Sequence, residues 1–538
     1  MKPRSRRAPG FIAAAVSVVF LNQLFSSGDF VEQKLQALPS AVSIELAVLV
    51  LLFGLFARET RPPALGFWLL ALASVMVFVL RAFSIGVPWF FGRDLNVAVD
   101  ARFVPFFVKL LYDATPAFQF ALLVAAVLLA LIAVLTIVRA AYAVIWRSVV
   151  LQGRAGLALG FAVVVAGWWA MPTAPSSPDP RPFASLDAGR AVFAAVDSVL
   201  RAEGIRGAFR QQVATAQAAL PARSDFAPLG GRSVFLIFVE SYGAITARDP
   251  AFAAVLDPLR KRLDDRLQAA GFARATGLLR SPITGGGSWM AHGTVISGVR
   301  IAAQDAYEVM LVSGARTLAH RMKEAGYRTY ALMPRIDQPW PEGRLLGFED
   351  IRLQPDLGYA GPRFAWESLP DQWVLDHFAR SDFAPRGMFA KIILSSSHTP
   401  FDHVPAWVED WSKLPTNHAY DGLPAREFPV RAGQVFEQDE GYVAATAYSL
   451  ESAIRFATDR TQGDPLFIVL GDHQPPLTTA RRTGDFSSIV HVFSRNAALV
   501  DAFVKRGYLP GMQPPPGRAE KGMETFLADF LADFGGAP

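Results

Sequence analysis

No cysteine occurs in the 538 residues of the chain. Disulfides, thiolate metal sites and cysteine nucleophiles are thereby excluded, and the compartment leaves no trace in cysteine usage. Charged residues are also scarce, 18% against 52% hydrophobic, a balance that places part of the chain in a membrane. No P-loop, no G-x-G-x-x-G fingerprint and no G-x-S-x-G elbow is present. Internal repeats and long low-complexity runs are missing as well. The net charge of +5 is unevenly spread: residues 1–174 carry 14 Lys and Arg against 7 Asp and Glu, and the rest carries 38 against 40. The basicity belongs to the apolar half. It reads as orientation charge at membrane boundaries rather than as a nucleic-acid surface.

What is there begins with five apolar stretches: about Gly10–Phe25, Ala41–Phe56, Ala64–Ile85, Ala117–Val138 and Gly156–Trp169. The third and fourth are comfortably long for a membrane span, and the others lie near the lower limit. Lys2, Arg4, Arg6 and Arg7 precede the first, but no small-x-small cleavage site follows, so it reads as an uncleaved span. Arg58, Arg61, Arg139, Arg147 and Arg154 mark cytoplasmic loops, which puts everything after Trp169 outside the cytoplasm. The loop at 87–116 mixes Trp89, Phe90, Phe91, Phe106 and Phe107 with Arg93, Arg102 and Lys109, as an interfacial segment or an ordinary connection does. The Pro-rich run Pro172–Pro182 is a stiff linker. The expected division is a five-span domain at 1–171, a linker with a juxtamembrane helix at 172–230, and a catalytic domain at 231–538.

From Ser233 the pattern is α/β. Apolar strands are expected at Val234–Val239, Thr329–Met333, Phe389–Leu394, Leu466–Leu470 and Ile489–Phe493, with helices at Ala251–Gln268, Arg316–Ala325, Gln372–Arg380 and Tyr442–Thr458. Strands alternating with helices predict a doubly wound, mainly parallel sheet.

Chemistry-bearing residues gather at the ends of these strands. The run Leu466–Pro476, LFIVLGDHQPP, stops at Asp472 and His473. Ligands bind at such strand tips in open α/β sheets, and a carboxylate beside a neutral imidazole suits a divalent metal. Read alone, it is more readily a strand-to-loop turn with an Asp cap and a surface His. The first strand ends in Glu240, followed by Ser241. Carboxylates brought together by neighbouring strands repel unless a cation sits between them. In Ser281–Gly298, three glycines lead into Ser288 and a helix. A hydroxyl there sits beside free N–H groups, either as a plain cap or as a nucleophile needing a base or a metal. Leu394–His403 carries His398, with Asp402 and His403 as further ligand candidates.

Taken in order, Glu240, the glycine-rich loop with Ser288, SSSHTPF and GDHQPP resemble the alkaline phosphatase superfamily. The similarity is to its membrane-anchored sulfatase-like branch, the lipoteichoic acid synthase and periplasmic phosphoglycerol transferase family; the phosphoethanolamine transferases are more distant. The layout of spans, linker and extracytoplasmic domain matches too, so the resemblance covers nearly the whole chain. It implies one divalent cation, manganese first and zinc or magnesium as alternatives, held by Glu240, Asp472 and His473, with Ser288 as fourth ligand and nucleophile. It implies attack on a membrane phospholipid, phosphatidylglycerol favoured, release of diacylglycerol, and transfer of the head group to a glycan, lipid or polymer acceptor. His398 is implied to hold phosphate or assist proton transfer. Arg335, Trp340 and Arg344 fall where the relatives hold the head group, and Asp371 falls near an acidic helix start whose plain reading is an N-cap.

The synthases use threonine where this chain has Ser288, and Thr284 is a rival four residues earlier. A sulfatase motif C/S-x-P-x-R is absent, since Trp289, Met290, Ala291 and His292 follow Ser288. The implied setting is a bacterial inner membrane with the catalytic domain in the periplasm. A phosphodiesterase or phosphatase, a phosphoethanolamine transferase, and an inactive membrane-anchored binding or regulatory protein remain as alternatives.

Overall fold

The computed structural model describes residues 8–26, 42–56, 59, 63–91, 95–152 with breaks between 102 and 115, and 184–536 apart from 366 and 430–436. The chain forms two compact units, 1–89 with 93–203, and 90–92 with 204–538.

The first unit contains helices α1 (Ala8–Ser26), α2 (Ile44–Phe56), α3 (Ala64–Phe91) and α4 (Ala117–Gln152). The division from the second falls within helix α5 (Asp187–Ala218). Two stretches, Ala64–Ser84 and Ala117–Leu151, are long and apolar enough to cross a membrane; Ile12–Phe25 and Ile44–Phe56 are shorter. The fifth apolar stretch and the Pro-rich linker lie outside the described residues. Phe53, Phe67, Tyr142 and Trp146 pack together, with the Trp146 ring 5.3 Å from Phe53 and 5.6 Å from Phe67. Most of α4 faces outward: Leu129 is 67% and Ile132 59% exposed. Leaving such side chains in water forgoes about 1.5–3 kcal/mol each. An apolar medium removes that cost.

The second unit is built on one eight-stranded sheet. Its strands are β1 (Val234–Val239), β2 (Ala273–Arg280), β3 (Arg328–Met333), β4 (Asp350–Leu353), β5 (Met388–Leu394), β6 (Leu466–Gly471), β7 (Ser487–Ser494) and β8 (Leu509–Pro510). They lie in the order β8-β2-β7-β6-β1-β5-β3-β4. From β6 to β4 the pairing is parallel; β7, β2 and β8 add an antiparallel flank. The apolar runs VFLIFV and LFIVLG are buried throughout, as expected of parallel strands covered on both faces. Alternate residues of β1 serve two cores. Phe235, Ile237 and Val239 pack with helix α6 (Pro250–Ala269), helix α8 (Asp371–Ser381) and helix α9 (Asp439–Arg455). Val234, Leu236 and Phe238 pack with helix α7 (Ser288–Ser297) and the two C-terminal helices α10 (Ala497–Lys505) and α11 (Phe526–Phe534). Layers on both faces make the sheet doubly wound.

The five expected strands are all present. Three further strands, β2, β4 and β8, have no continuous apolar run to mark them. β2, ARATGLLR, has a charged residue near each end and takes its place by non-local pairing with β7. β4 and β8 are short edge strands.

Glycine is required at the tip of β6. A Cβ on Gly471 would run into the Tyr242 carbonyl, a backbone atom with no freedom to yield. Gly471→Ala is therefore expected to cost about 1–3 kcal/mol by overpacking, seen as a lowered melting temperature of the detergent-purified chain. An unchanged melting temperature would show that the two strand ends are free to separate.

Candidate active site

Strand register creates the site. β1 and β6 are parallel neighbours with Val239 opposite Gly471. The next residues, Glu240 and Asp472, therefore emerge side by side at the C-terminal edge of the sheet. His473 follows directly. The ligand atoms of Glu240, Asp472 and His473 lie within 4.8 Å of one another, and all three residues are buried. His473 Nε2 is 3.4 Å from Glu240 Oε1 and 3.8 Å from Asp472 Oδ2.

Asp472 is held on one side only. Its Oδ1 accepts from the backbone N–H of Ser241 (2.7 Å) and of His473 (2.8 Å). Its Oδ2 is buried with no hydrogen-bond partner. Burial and the neighbouring Glu240 push the Asp472 carboxyl well above the usual carboxylate range. Burial alone would pull the His473 imidazole down, but Asp472 and Glu240 outweigh it and raise it. Both directions have one cause: too much negative charge in a dry place, which a cation would neutralise. His473 Nδ1 lies 2.9 Å from the Gln474 carbonyl. A proton on Nδ1 satisfies that carbonyl and leaves Nε2 to present a lone pair, the form a metal requires. An orphaned carboxylate oxygen, a second carboxylate and an oriented imidazole make a donor set that fits a divalent cation.

Ser288 completes the cluster. Gly285, Gly286 and Gly287 all have positive φ (69°, 150° and 81°), which bends the loop so that α7 begins at the strand tips. The Ser288 hydroxyl does not cap its helix. It donates to Glu240 Oε2 at 3.0 Å and lies 3.2 Å from His473 Nε2. Thr284 has no hydrogen bond to either residue.

His398 is part-buried after β5. Its Nδ1 is 2.6 Å from the Thr399 carbonyl, and burial pushes it down to about 4, so the ring is neutral at pH 7 with Nε2 as its acceptor. Burial lowers Arg335 and is the largest influence on it; Asp337, Glu367 and Glu240 act in the opposite direction, and the Arg335 charge in turn helps to lower His398. Trp340 packs its ring 5.2 Å from the Lys391 ammonium. Arg344 donates to the carbonyls of Phe348 and Glu349, closing its own turn. Asp402 and His403 pair with each other (3.1 Å), His403 being half exposed. The structure thus brings together Glu240, Ser288, Asp472 and His473, sets Arg335 and His398 within electrostatic reach, and gives Trp340 and Arg344 packing partners of their own.

Several contributors were not among the candidate residues. Ser397 Oγ donates to the Glu240 carbonyl at 2.6 Å, and Tyr442 OH to the Ser241 carbonyl at 2.8 Å, so the end of β1 is tied twice. Ser241 itself sits at φ 59°, which turns its N–H toward Asp472. Behind it, Tyr242 OH meets His491 Nε2 at 3.0 Å, and His491 Nδ1 meets Thr276 Oγ1 at 2.8 Å. Thr276 gives its proton to the Gly511 carbonyl, so His491 donates from Nδ1 and accepts from Tyr242. Lys391 is buried in β5 with its ammonium on the Met333 sulfur and over the Phe238 and Trp340 rings; burial pushes it down to about 7. It is the one charge inside the run MFAKIIL, which is the signal that could have marked it.

No family model matches the chain, and no curated protein matches it in sequence. Among solved structures it is similar to an alkaline phosphatase superfamily protein from Vibrio parahaemolyticus (14% identity, TM-score 0.35), over 56% of this chain and 66% of that one, just under two thirds of its length. It is also similar to the lipoteichoic acid synthase LtaP from Listeria monocytogenes (13% identity, TM-score 0.33, 52% and 70% covered). A third is the Streptococcus pyogenes phosphoglycerol transferase GacH in complex with sn-glycerol-1-phosphate (12% identity, TM-score 0.35, 55% and 75% covered).

Asp371 is the first residue of α8 but caps a different element. Its Oδ1 accepts from the backbone N–H of Ser395 (2.8 Å) and Ser396 (3.1 Å), and its Oδ2 from Ser449 Oγ (2.6 Å). It fastens the end of β5 to α9. Burial pushes its carboxyl up to about 6 against the pull of these donors. Asp371→Ala leaves two buried N–H groups unpaired, each costing about 1–3 kcal/mol. Asp371→Asn keeps an acceptor for them and lets Ser449 reverse its hydroxyl. Thermal unfolding is expected to show a large loss for alanine and a small one for asparagine; equal losses would mean that the charge itself holds the turn.

Proposed function

We propose that the protein is a metal-dependent phosphotransferase that moves a phosphoglycerol-type head group from a membrane phospholipid to an extracytoplasmic acceptor. The observation that carries this reading is the Ser288 hydroxyl, held at the start of α7 between Glu240 Oε2 and His473 Nε2 in a buried acidic cluster. Glu240, Asp472, His473 and Ser288 would hold one divalent cation, manganese favoured. When bound, such a cation lowers the pKa of the hydroxyl and polarises the phosphoryl group.

The chain's own groups do the rest. Ser288 Oγ forms a bond to phosphorus while the bond from phosphorus to the diacylglycerol oxygen breaks. The proton that leaves Ser288 ends on the departing diacylglycerol oxygen, and the head group stays on Ser288 as a phosphodiester. An acceptor hydroxyl then attacks the same phosphorus, and Ser288 recovers its proton. His398, neutral with Nε2 as acceptor, can accept a hydrogen bond from that incoming hydroxyl and so orient it as its proton leaves. Arg335 is the cation best placed to meet the phosphate oxygens. The first unit supplies the membrane anchor. We assign residues 1–171 to it, 172–230 to a linker and juxtamembrane helix, and 231–538 to the catalytic domain, with the catalytic domain on the periplasmic side.

Purified protein with manganese and labelled phosphatidylglycerol is expected to release diacylglycerol, and to stop on chelation. Ser288→Ala is expected to lose at least about 10³-fold, since it removes the nucleophile rather than a binding contact; unchanged release would move the nucleophile elsewhere. Mass spectrometry of a trapped Ser288 adduct identifies the head group, and release of free glycerol phosphate without an added acceptor would mark a hydrolase.

Because the chain lacks cysteine, Val312→Cys, at a position 80% exposed, gives a single thiol. It is expected to react with a membrane-impermeant maleimide once the outer membrane is opened. Labelling only after lysis would place the domain in the cytoplasm.

A further inference from the structure

Helix α7 carries a second side chain to the cluster. His292 lies one turn beyond Ser288, so both project from one face of the same rigid helix. It is 4% exposed, and its ring packs 4.1 Å from the Phe238 ring, between centroids. Its Nε2 faces Asp472 Oδ2 at 3.8 Å, and neither atom has a hydrogen-bond partner. An unpaired buried polar atom costs about 1–3 kcal/mol, and two that face each other call for a common explanation.

We propose that His292 is a positioning residue of the cation site. With its proton on Nε2 it donates to Asp472 Oδ2, and so fixes the direction in which that oxygen presents its remaining lone pairs. Asp472 Oδ1 is already fixed by two backbone N–H groups; His292 acts on the other oxygen, the one aimed at the cluster. A carboxylate that ligates a metal is ordinarily held by such an outer hydrogen bond. His292 falls outside the group of ligand atoms that lie within 4.8 Å of one another, which is why it holds a ligand and is not one. The helix then has two tasks: one turn presents the nucleophile, and the next holds the carboxylate opposite it. The groups facing the ring are Asp472 on one side and the charges of Lys391 and His473 on others.

This inference rests on the cation reading above, and its test separates the two. Manganese binding to the full-length, chelator-treated chain is measured by titration calorimetry for wild type, His292→Leu, His292→Gln and Asp472→Asn. His292→Leu, similar in bulk but without a donor, is expected to bind about 10–100-fold more weakly. His292→Gln, whose amide reaches the same position, is expected to recover most of that loss. Melting temperatures without metal are expected to match wild type; where leucine lowers them, His292→Asn, polar but too short, replaces it with the same expectation. Wild-type affinity in His292→Leu, with Asp472→Asn impaired, overturns the positioning role and leaves the cation reading standing. Equal losses in leucine and glutamine overturn it too, because they mark ring packing on Phe238. A wild-type chain that binds no cation, or an Asp472→Asn chain that binds as well as wild type, removes the cation reading and the role of His292 with it.

Discussion

Two carboxylates are forced together by strand register, and the rest of the site answers to that. Glu240 and Asp472 follow paired residues of adjacent parallel strands, so neither moves away without breaking the sheet. Two unit charges 4 Å apart repel by about 4 kcal/mol at an effective dielectric constant of 20. The surroundings offset part of this through the Ser241 and His473 amides on Asp472 Oδ1 and the Ser288 hydroxyl on Glu240. They do not offset all of it, as the raised Asp472 carboxyl and raised His473 imidazole record. A fold that needed only stability would place apolar residues here. Retaining the cluster makes sense if a cation completes it.

The frame around the cluster is stiff for the same reason. The strand tips are where backbone groups run out of sheet partners, and each is tied by a side chain from another element. Ser397 holds the Glu240 carbonyl, Tyr442 the Ser241 carbonyl, and Asp371 the amides after β5. The line Tyr242–His491–Thr276 has one consistent assignment of donors and acceptors, with the Arg260 guanidinium 3.4 Å from the tyrosine oxygen. Such ties add little to catalysis directly. They fasten the backbone that carries four groups from three different segments, and positional chemistry depends on such fixed relations.

How much of this was legible depended on whether the deciding contact was local in sequence. β1 and β6 announced themselves as short continuous apolar runs, and each ended in an acid, so Glu240 and Asp472 could be singled out from pattern alone. The glycines before Ser288 signalled a close backbone approach. His292 was not legible, because in the buried helix SWMAHGTVIS it reads as one more core position. Lys391 hid inside an otherwise apolar strand. Asp371 looked like a cap for the helix it begins, while its carboxylate serves amides 24 and 25 residues away. Arg344 shows the converse: a guanidinium in a promising segment whose hydrogen bonds stay within its own turn. β2 and β4 were missed because pairing, not composition, makes them strands.

The choice between Ser288 and Thr284 shows what three-dimensional placement adds to a motif. Both hydroxyls stand near the glycines, and sequence gives only a preference for the one that opens a helix. In the structure Ser288 is the first residue of α7, in the positive field of the helix start. Its oxygen also lies beside Glu240 and His473. The two surroundings act oppositely on a bare hydroxyl: the helix start favours loss of its proton, and the carboxylates oppose it. A cation among the carboxylates would remove the opposition, and both surroundings would then favour the alkoxide. On the proposed reading, the same arrangement would leave the serine inert without a metal and reactive with one, and would tie nucleophile activation to occupancy of the cluster.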